Sequence, residues 1–275
     1  MEIVRPQSLS DFLERGESFL ARHEAEHGLM LGVARATRDP APDAYYVLII
    51  ENGAVVGAAL RMDTRLILSR EEVPHVMAFV AKDAASPMLQ RVLGPTESVS
   101  QFTSACGSLW KPVMSQGIYE CRAVTRVPDV PGSSRIARLG DRDQLAMFLR
   151  GLSAEALNER VSEDEALRRV SSHIERAETC IWEVDSEVVS VAAAVAPTLH
   201  GIRINNVYTP PKHRGCGYAS ALVASLTHEM LTSGRQFTFL HTDLENPTSN
   251  AIYLRIGYRQ VGDFRVVELL DRGNP

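Results

Sequence analysis

Between Val207 and Met230 the chain gathers a basic turn, two glycines and a helix start. Pro210 and Pro211 stop the preceding strand, because proline offers no N–H to a sheet ladder. Lys212, His213 and Arg214 put positive charge on the turn, and Gly215 and Gly217 admit backbone conformations closed to other residues. Ala219 and Ser220 keep the first helical turn small, after which Leu222, Val223, Leu226 and Met230 recur at helical spacing. A strand end, a bare loop and a helix N-terminus make an anion site, since unpaired N–H groups converge there and the helix dipole favours negative charge. The dipole alone supplies only ~0.3–1 kcal/mol, so holding a pyrophosphate needs several N–H groups and a cation together. Cys216 sits inside this loop beside Arg214, a setting that lowers a thiol pKa. It reads as a reactive thiol able to carry an acyl group, or as a loop position facing solvent.

Two further groups have chemical spacing. His23-Glu24-Ala25-Glu26-His27 spells H-E-x-x-H on a predicted helix, the pattern that puts two imidazoles on one face for zinc. No paired downstream ligand follows, and a polar helix end before Gly28 is the plainer reading, so no metal is expected. Asn246-Pro247 opens a later helix by ordinary capping rules, asparagine at the N-cap and proline in the first turn. Tyr253, on that helix, reads locally as a core aromatic.

The elements around these residues are those of a mixed α+β chain. Residues 9–28 read as a helix capped by Ser10 or Asp11. Tyr45–Ile50 and Ala54–Met62 form a hairpin around Asn52-Gly53, a turn whose residues tolerate positive φ. Arg65–Ser69 is a third strand. Glu71–Asp83 and Thr96–Met114 read as helices, with Pro87 and Gly94-Pro95 as breaks, and Tyr119–Val127 as a closing strand. The run PDVPGSS at 128–134 is nearly all turn formers and marks a linker. The pattern then restarts: a short strand at Arg135–Leu139, and helices at Asp141–Leu152 and Ser162–Glu178, the second with a Ser162/Glu165 capping box. A hairpin follows at Thr179–Val184 and Val188–Ala196, then strands at Gly201–Thr209, Gln236–Thr242 and Tyr258–Leu269. Two similar lobes are expected, 1–130 and 131–275, the first without a glycine-basic loop because Arg70-Glu71-Glu72-Val73-Pro74 stands in its place. An unrelated N-terminal domain is the alternative.

Composition bounds the class. The 275 residues are 45% hydrophobic and 23% charged, with a net charge of −5, which suits a water-soluble chain and not a nucleic-acid binder. The N-terminal MEIVRPQSLSDFLERGE carries acids and no long apolar run, so no signal peptide is expected. No stretch approaches the ~20 apolar residues of a membrane span. The four cysteines, Cys106, Cys121, Cys180 and Cys216, form no C-x-x-C pair. A reducing, cytoplasmic setting is the expectation.

Arg214-Gly215-Cys216-Gly217-Tyr218-Ala219 resembles R-x-x-G-x-G/A, the pyrophosphate loop of the GCN5-related N-acetyltransferases. Asn246, Ser249, Tyr253, Gly257 and Tyr258 fit that superfamily's later motif, N-x-x-A/S-x-x-x-Y-x-x-x-G-F/Y. The wider wording is similar to a branch of predicted bacterial acetyltransferases whose catalytic domain is C-terminal; the motifs span roughly residues 200–268. The resemblance implies two lobes of mostly antiparallel sheet flanked by helices. The fourth and fifth strands of the C-terminal lobe are splayed, with the pantetheine arm between them. It implies acetyl-coenzyme A as donor, with Val207, Tyr208 and Thr209 on the thioester and arm through main chain. Arg214, Gly215, Gly217, Tyr218, Ala219 and Ser220 would cradle the pyrophosphate, and Asn246 or Asn250 would touch the arm. Tyr253 becomes the acid that protonates the leaving thiolate. Relatives that carry a Glu base on the fourth strand have no counterpart in His200–Val207. His200, Glu183, His241 and Asp243 are the titratable groups left, and His241 has the intrinsic pKa for base work; a hydrogen-bonded core or rim histidine, a loop-orienting Asp243 and a water relay stay open. The implied activity is transfer of an acyl group, acetyl foremost, to a primary amine of a small molecule or peptide by direct attack, in a monomer or homodimer. The alternative is an acyl-coenzyme A-binding module without turnover.

Overall fold

A computed structural model describes residues 1–38, 40–84, 86–125, 128–156 and 159–270. The chain divides into two compact units: Met1–Tyr119 with His241–Pro247 and the residues from Gln260, and Glu120–Leu240 with Thr248–Arg259. In chain order the elements are β1 (Glu2–Val4), α1 (Leu9–Leu20), α2 (Glu24–Ala36), β2 (Tyr45–Glu51), β3 (Ala54–Arg61), β4 (Arg65–Leu68), α3 (Val76–Asp83), β5 (Arg91–Pro95), α4 (Thr96–Cys106) and β6 (Trp110–Cys121). They continue with β7 (Ser133–Ile136), α5 (Arg142–Ala156), α6 (Glu163–Glu175), β8 (Thr179–Val184), β9 (Glu187–Val195), β10 (Gly201–Tyr208), α7 (Tyr218–Thr232), β11 (Phe237–Asp243), α8 (Pro247–Ile256) and β12 (Arg259–Leu269).

In the first unit the strands run in the order β1, β2, β3, β4, β5, β12, β6. The hairpin turn forms as expected, with Asn52 at φ 51 and Gly53 at φ 80. β1–β2, β2–β3, β3–β4 and β5–β12 pair antiparallel, and β4–β5 parallel. The last strand of the chain pairs here: Phe264–Glu268 of β12 lies antiparallel to Pro95–Arg91 of β5. The core gathers Val47, Ile49, Leu66, Val80, Val92, Phe102 and Val267, all buried.

Several boundaries differ from the sequence reading for local reasons. The expected helix over 9–28 is two helices joined by a 3-10 turn at Ala21–His23, and its cap is Ser8, whose Oγ accepts the Asp11 N–H at 3.1 Å. The helix expected from Glu71 begins only at Val76, because Pro74 and then His75 at φ 70 intervene. The helix expected to reach Met114 stops at Gly107, φ 66, and Trp110–Cys121 is a strand. Of the strand expected over 119–127, Tyr119–Cys121 belongs to β6, while Arg126 and Val127 lie outside the described residues. Strand β5 contains the Gly94-Pro95 pair that read as a break.

The H-E-x-x-H segment is a structural joint. The two histidines do not form a ligand pair, because both His27 ring nitrogens are committed: Nδ1 donates to Leu20 O at 2.8 Å, and Nε2 accepts the Arg70 N–H at 2.9 Å. Its neighbour Glu26 pairs with the Arg70 guanidinium at 3.0 Å. The loop after β4 is thereby pinned to α2. Where the second unit has its glycine-basic loop, the first has Glu71, whose carboxylate accepts the Met77 N–H at 3.3 Å and Gln101's amide. The first-unit helix start is thus capped by its own acid.

The second unit orders its strands β7, β8, β9, β10, β11. Pairing is antiparallel from β7 to β10 and parallel between β10 and β11, repeating the β4–β5 arrangement. Alternation puts Ile181, Val191 and Tyr208 on the face where Leu145, Phe148 and Val170 of α5 and α6 pack. Ser162 caps α6 as expected, accepting the Glu165 N–H at 3.2 Å.

Burial holds the His27 imidazole neutral, with its pKa lowered to about 4. As pH falls from about 6.5 toward 4, the unfolded chain takes up a proton that the folded one refuses, so stability drops across that window by on the order of 3 kcal/mol. Above 6.5 this contribution is constant. Chemical denaturation at stepped pH should show that slope in the wild type and a shallower one in His27→Gln; equal slopes would refute the assignment.

Candidate functional site

The site begins where β10 parts from β11. Their parallel register lasts for Gly201, Ile202 and Arg203, opposite Phe237, Thr238 and Phe239. Beyond it β10 runs on to Tyr208 with a bulge against β9 between Asn205 and Tyr208. Asn206 makes the bulge, at φ 52, a left-handed conformation that asparagine tolerates well. The fourth and fifth strands of this lobe are therefore splayed.

The main-chain contacts expected at Val207, Tyr208 and Thr209 are not equivalent. Ser190 Oγ donates to Tyr208 O at 3.2 Å and bonds Thr209 Oγ1 at 2.8 Å, and Arg214 Nε donates to Thr209 O at 2.9 Å. Two of the three carbonyls already have a donor from this chain. Val207 lies within the bulge between Asn205 and Tyr208.

The loop after β10 turns through a short 3-10 segment at Pro211–His213 and enters α7 at Gly217. Gly215 (φ 79) and Gly217 (φ 84) both occupy the left-handed region, and no atom lies within 4 Å of where a Gly215 Cβ would stand. Gly217 is the N-cap and offers no side chain; the first turn has no acid, and the first helical bond is Ala221 N–H to Gly217 O at 3.0 Å. The N–H groups of Tyr218, Ala219 and Ser220 precede that bond, so the helix itself leaves them unpaired. Glycine freedom, uncapped N–H groups and an open approach fit a pyrophosphate.

The cations of the loop are held by surface acids. Lys212 Nζ meets Glu187 at 2.5 Å, with His213 Nε2 at 3.2 Å from the same oxygen. Arg214 pairs with Glu155 at 2.6 Å and lies over the Tyr208 ring at 5.6 Å. Both acids stay below the usual carboxylate range, Glu187 through its Lys212 bond and Glu155 through its Arg214 bond. Exposed pairs of this kind are weak and screened by solvent, so an incoming anion can draw either cation away at small cost. Cys216 is exposed, its thiol facing only Arg214 O at 3.7 Å.

Glu155 escaped the sequence reading, which ended its helix at Leu152 and sought carboxylates on the fourth strand. It also accepts the Tyr208 hydroxyl at 2.8 Å. Gly151 explains how Tyr208 gets there: a Cβ at 151 would stand 2.4 Å from the Tyr208 Oη. Arg203 was likewise overlooked. Its Nε is buried without a hydrogen-bond partner, and no acid forms an ion pair with it among the described residues. Burial lowers its pKa to about 10, which still leaves a cation at neutral pH.

Two residues of the second motif are framework. Tyr258 is framework: its hydroxyl bonds Thr227 at 2.7 Å and Thr238 at 2.8 Å in a buried setting. Gly257, at φ 119, is framework too, since a Cβ there would meet Ala123 O and Thr125 Oγ1, each at 2.7 Å. Tyr253 packs edge-on against Tyr258 at 5.8 Å, and its hydroxyl has no hydrogen-bond partner among the described residues. Burial pushes its pKa up to about 12, so it is a phenol at any working pH. Asn250 lies on the same helix.

His241 and Asn246 fall in the first compact unit, whereas Tyr253, Asn250 and the loop after β10 fall in the second. The His241 ring packs against Phe264 at 4.9 Å. Asp243 orients the turn before α8: its Oδ1 accepts the Glu245 N–H at 2.9 Å and its carbonyl the Asn246 N–H at 3.1 Å. Glu183 is bound into a structural network, at 2.5 Å from Arg135, which also grips Asp141.

Two kinds of glycine substitution should separate. Gly151→Ala must displace Tyr208 from Glu155 and is expected to destabilise by ~1–3 kcal/mol. Gly215→Ala meets open space and costs only its left-handed strain, ~1–2 kcal/mol. Arg203→Met removes a buried cation without an acid partner and should leave the melting temperature unchanged or higher. Thermal melts of the three variants check all of this; a marked loss for Arg203→Met would mean that an unseen partner holds it.

Residues 184–266 match a family model described as FR47-like protein. No curated protein sequence is significantly similar to this one. Among solved structures, a GCN5-related N-acetyltransferase from Sphaerobacter thermophilus aligns with a TM-score of 0.64 at 16% identity, over 97% of this chain and 95% of its own. A GNAT-family acetyltransferase from Colwellia psychrerythraea aligns with a TM-score of 0.59 at 16% identity, over 98% and 99%. A tandem GNAT protein from the clavulanic acid biosynthesis pathway aligns with a TM-score of 0.55 at 12% identity, over 100% and 99%. Identities this low show a shared fold, here the two-lobe fold of acetyltransferases. Both motifs lie inside the segment matched by the FR47-like model, and over its whole length the chain shares the fold of GCN5-related N-acetyltransferases.

Proposed function

We propose that this protein transfers an acyl group, acetyl foremost, from acetyl-coenzyme A to a primary amine by direct attack. The observation that carries the reading is the uncapped start of α7 behind Gly215 and Gly217, beside a β10 that has left β11. The donor brings an activated thioester. The residues proposed to hold it are Val207 with Tyr208 and Thr209 along the arm. Arg214, Gly215, Gly217, Tyr218, Ala219 and Ser220 would hold the pyrophosphate, with Asn246 and Asn250 near the arm. A strand N–H next to the bulge would polarise the carbonyl, the kind of donor that contributes ~10²–10³-fold elsewhere. Glu71 at the α3 start supports a first lobe without a donor site, and we keep the division at 130/131 as the proposed boundary between lobes.

Tyr253 is proposed as the acid. Thiolate at pKa ~8.5 is a fair leaving group, and a phenol raised to about 12 is a weak proton source beside it. The expected gain is therefore at the lower end of acid catalysis, about 10²-fold. Among titratable groups, Glu183 is occupied by Arg135, so His241 is the side chain proposed to take the amine proton. The lack of a carboxylate on β10 favours one second reading, an acyl-coenzyme A-binding module without turnover.

Thiol release from acetyl-coenzyme A across a panel of amines tests both. Acceptor-dependent release is expected, with Tyr253→Phe about 10²-fold slower and an unchanged coenzyme A thermal shift. A folded Tyr253→Phe with wild-type turnover would make Tyr253 a core aromatic. Tight binding with no release from any amine selects the binding module, and no thermal shift at all removes both readings.

A further inference from the structure

We propose that the cavity between α5, α6 and the facing strands receives an uncharged, apolar group of one reactant, an aromatic ring or a short alkyl chain. The proposal rests on the acyl-transfer reading and narrows its substrates.

The cavity lies wholly within the second unit and encloses about 410 Å³, within the ~300–1,000 Å³ range of small-ligand sites. Its wall is apolar: Leu149 and Leu152 from α5, Val170 from α6, Ala193 from β9. The space exists because the sheet face under the helices carries small residues. Thr179 stands opposite Ala193, and Ala193 opposite Asn205, so this row leaves room beside Leu149 and Leu152, which pack against the neighbouring cluster of Phe148, Val170, Val191 and Tyr208. A well-packed lobe fills such a gap with side chains.

The floor is Asn205, Asn206 and Tyr208, the bulge where β10 turns away from regular pairing. A group seated in the cavity is therefore next to the strand that the acyl-transfer reading places along the thioester. Asn205 and Asn206 offer neutral polar contacts at that end, and Thr179 lines the space two strands away.

Charge decides the class of occupant. No carboxylate lines the cavity; its ionisable groups are Arg169, His173 and the phenol of Tyr208. Arg169 is paired with Glu165, and His173 with Glu178 at 2.7 Å, acids that do not line the space. An ammonium inside would find basic neighbours and no counter-ion, which is strongly unfavourable in an apolar setting. Polyamines and aminoglycosides, which carry several ammonium groups, are excluded from it. What remains is an apolar group attached to the reacting atoms, either the body of a monoamine acceptor or an acyl chain longer than acetyl on the donor.

Two arms distinguish these sources. In the first, acetyl-coenzyme A is the donor, and phenethylamine and hexylamine are compared with ethanolamine and spermidine. In the second, the amine is fixed and the donor runs from acetyl- through hexanoyl- to octanoyl-coenzyme A. At least a tenfold preference in kcat/KM for the apolar reactant is expected in one arm, and that arm identifies the source. Leu149→Trp, which fills the space, should abolish the preference while leaving the coenzyme A thermal shift unchanged. Leu149→Ala, which enlarges it, should shift the preference to larger groups and guards against misfolding of the tryptophan variant. Calorimetry with the products N-acetylphenethylamine and N-hexylacetamide, and with hexanoyl- against acetyl-coenzyme A, reads the cavity without turnover. Binding lost in Leu149→Trp supports the cavity even if the chain has no transferase activity. Preference for ethanolamine or spermidine with acetyl as the best acyl group, or selectivity and binding unaltered in folded Leu149→Trp, would overturn it.

Discussion

The structure depends on one interruption of a ladder. Strands β10 and β11 share three residues of register, then separate after Arg203 and Phe239. Leaving strand edges unpaired costs free energy, since backbone N–H and C=O groups seek partners. The chain answers locally. Ser190 serves the Tyr208 carbonyl and the Thr209 hydroxyl, and Arg214 serves the Thr209 carbonyl. What the helix itself leaves open is the bare start of α7. The proposed donor site is built on these backbone groups.

The first unit shows what the same arrangement becomes without that interruption. Its β4 and β5 also run parallel for three residues, but β4 ends at Leu68 and has no long extension. The following loop is fastened by His27 and Glu26 to α2, and Glu71 caps the helix beyond. A carboxylate where the second unit offers bare N–H groups gives the opposite electrostatics at the same point of the fold.

The second unit was largely legible because its signals are local. Gly215 and Gly217 at positive φ, the Ser162 cap and the Val188–Ala196 hairpin each follow from residues within a few positions. The first unit was less so. Gly94-Pro95 reads as a break in any local window, yet sits in β5 because β12 arrives from the far end of the chain to pair with it. The expected helix ran through to Met114, but Gly107 ends it and Pro112 could not continue it, and Trp110–Cys121 is a strand. At the candidate site, the bare loop could be read from local residues, whereas Tyr253 was singled out by the resemblance. Glu155 and Arg203 could not, since their meaning lies in partners: Glu155 in Tyr208 and Arg214, Arg203 in having none among the described residues. The motif residues Gly257 and Tyr258 show the converse, positions that carry a functional signature and prove to be framework.

Glu155 ties donor loop and cavity together physically. One carboxylate oxygen takes the Tyr208 hydroxyl, the other the Arg214 guanidinium. Tyr208 is a wall of the cavity and Arg214 a member of the anion loop. The pair is exposed and weak, so a pyrophosphate that recruits Arg214 leaves Glu155 with Tyr208 alone. The carboxylate then loses the interaction that most depresses its pKa and holds the phenol as its remaining partner. In the proposed reaction, occupation of the loop would change the electrostatics at the cavity wall through these two hydrogen bonds. Donor and apolar group would then be coupled at this residue, and Gly151, by letting Tyr208 approach, makes the contact geometrically possible.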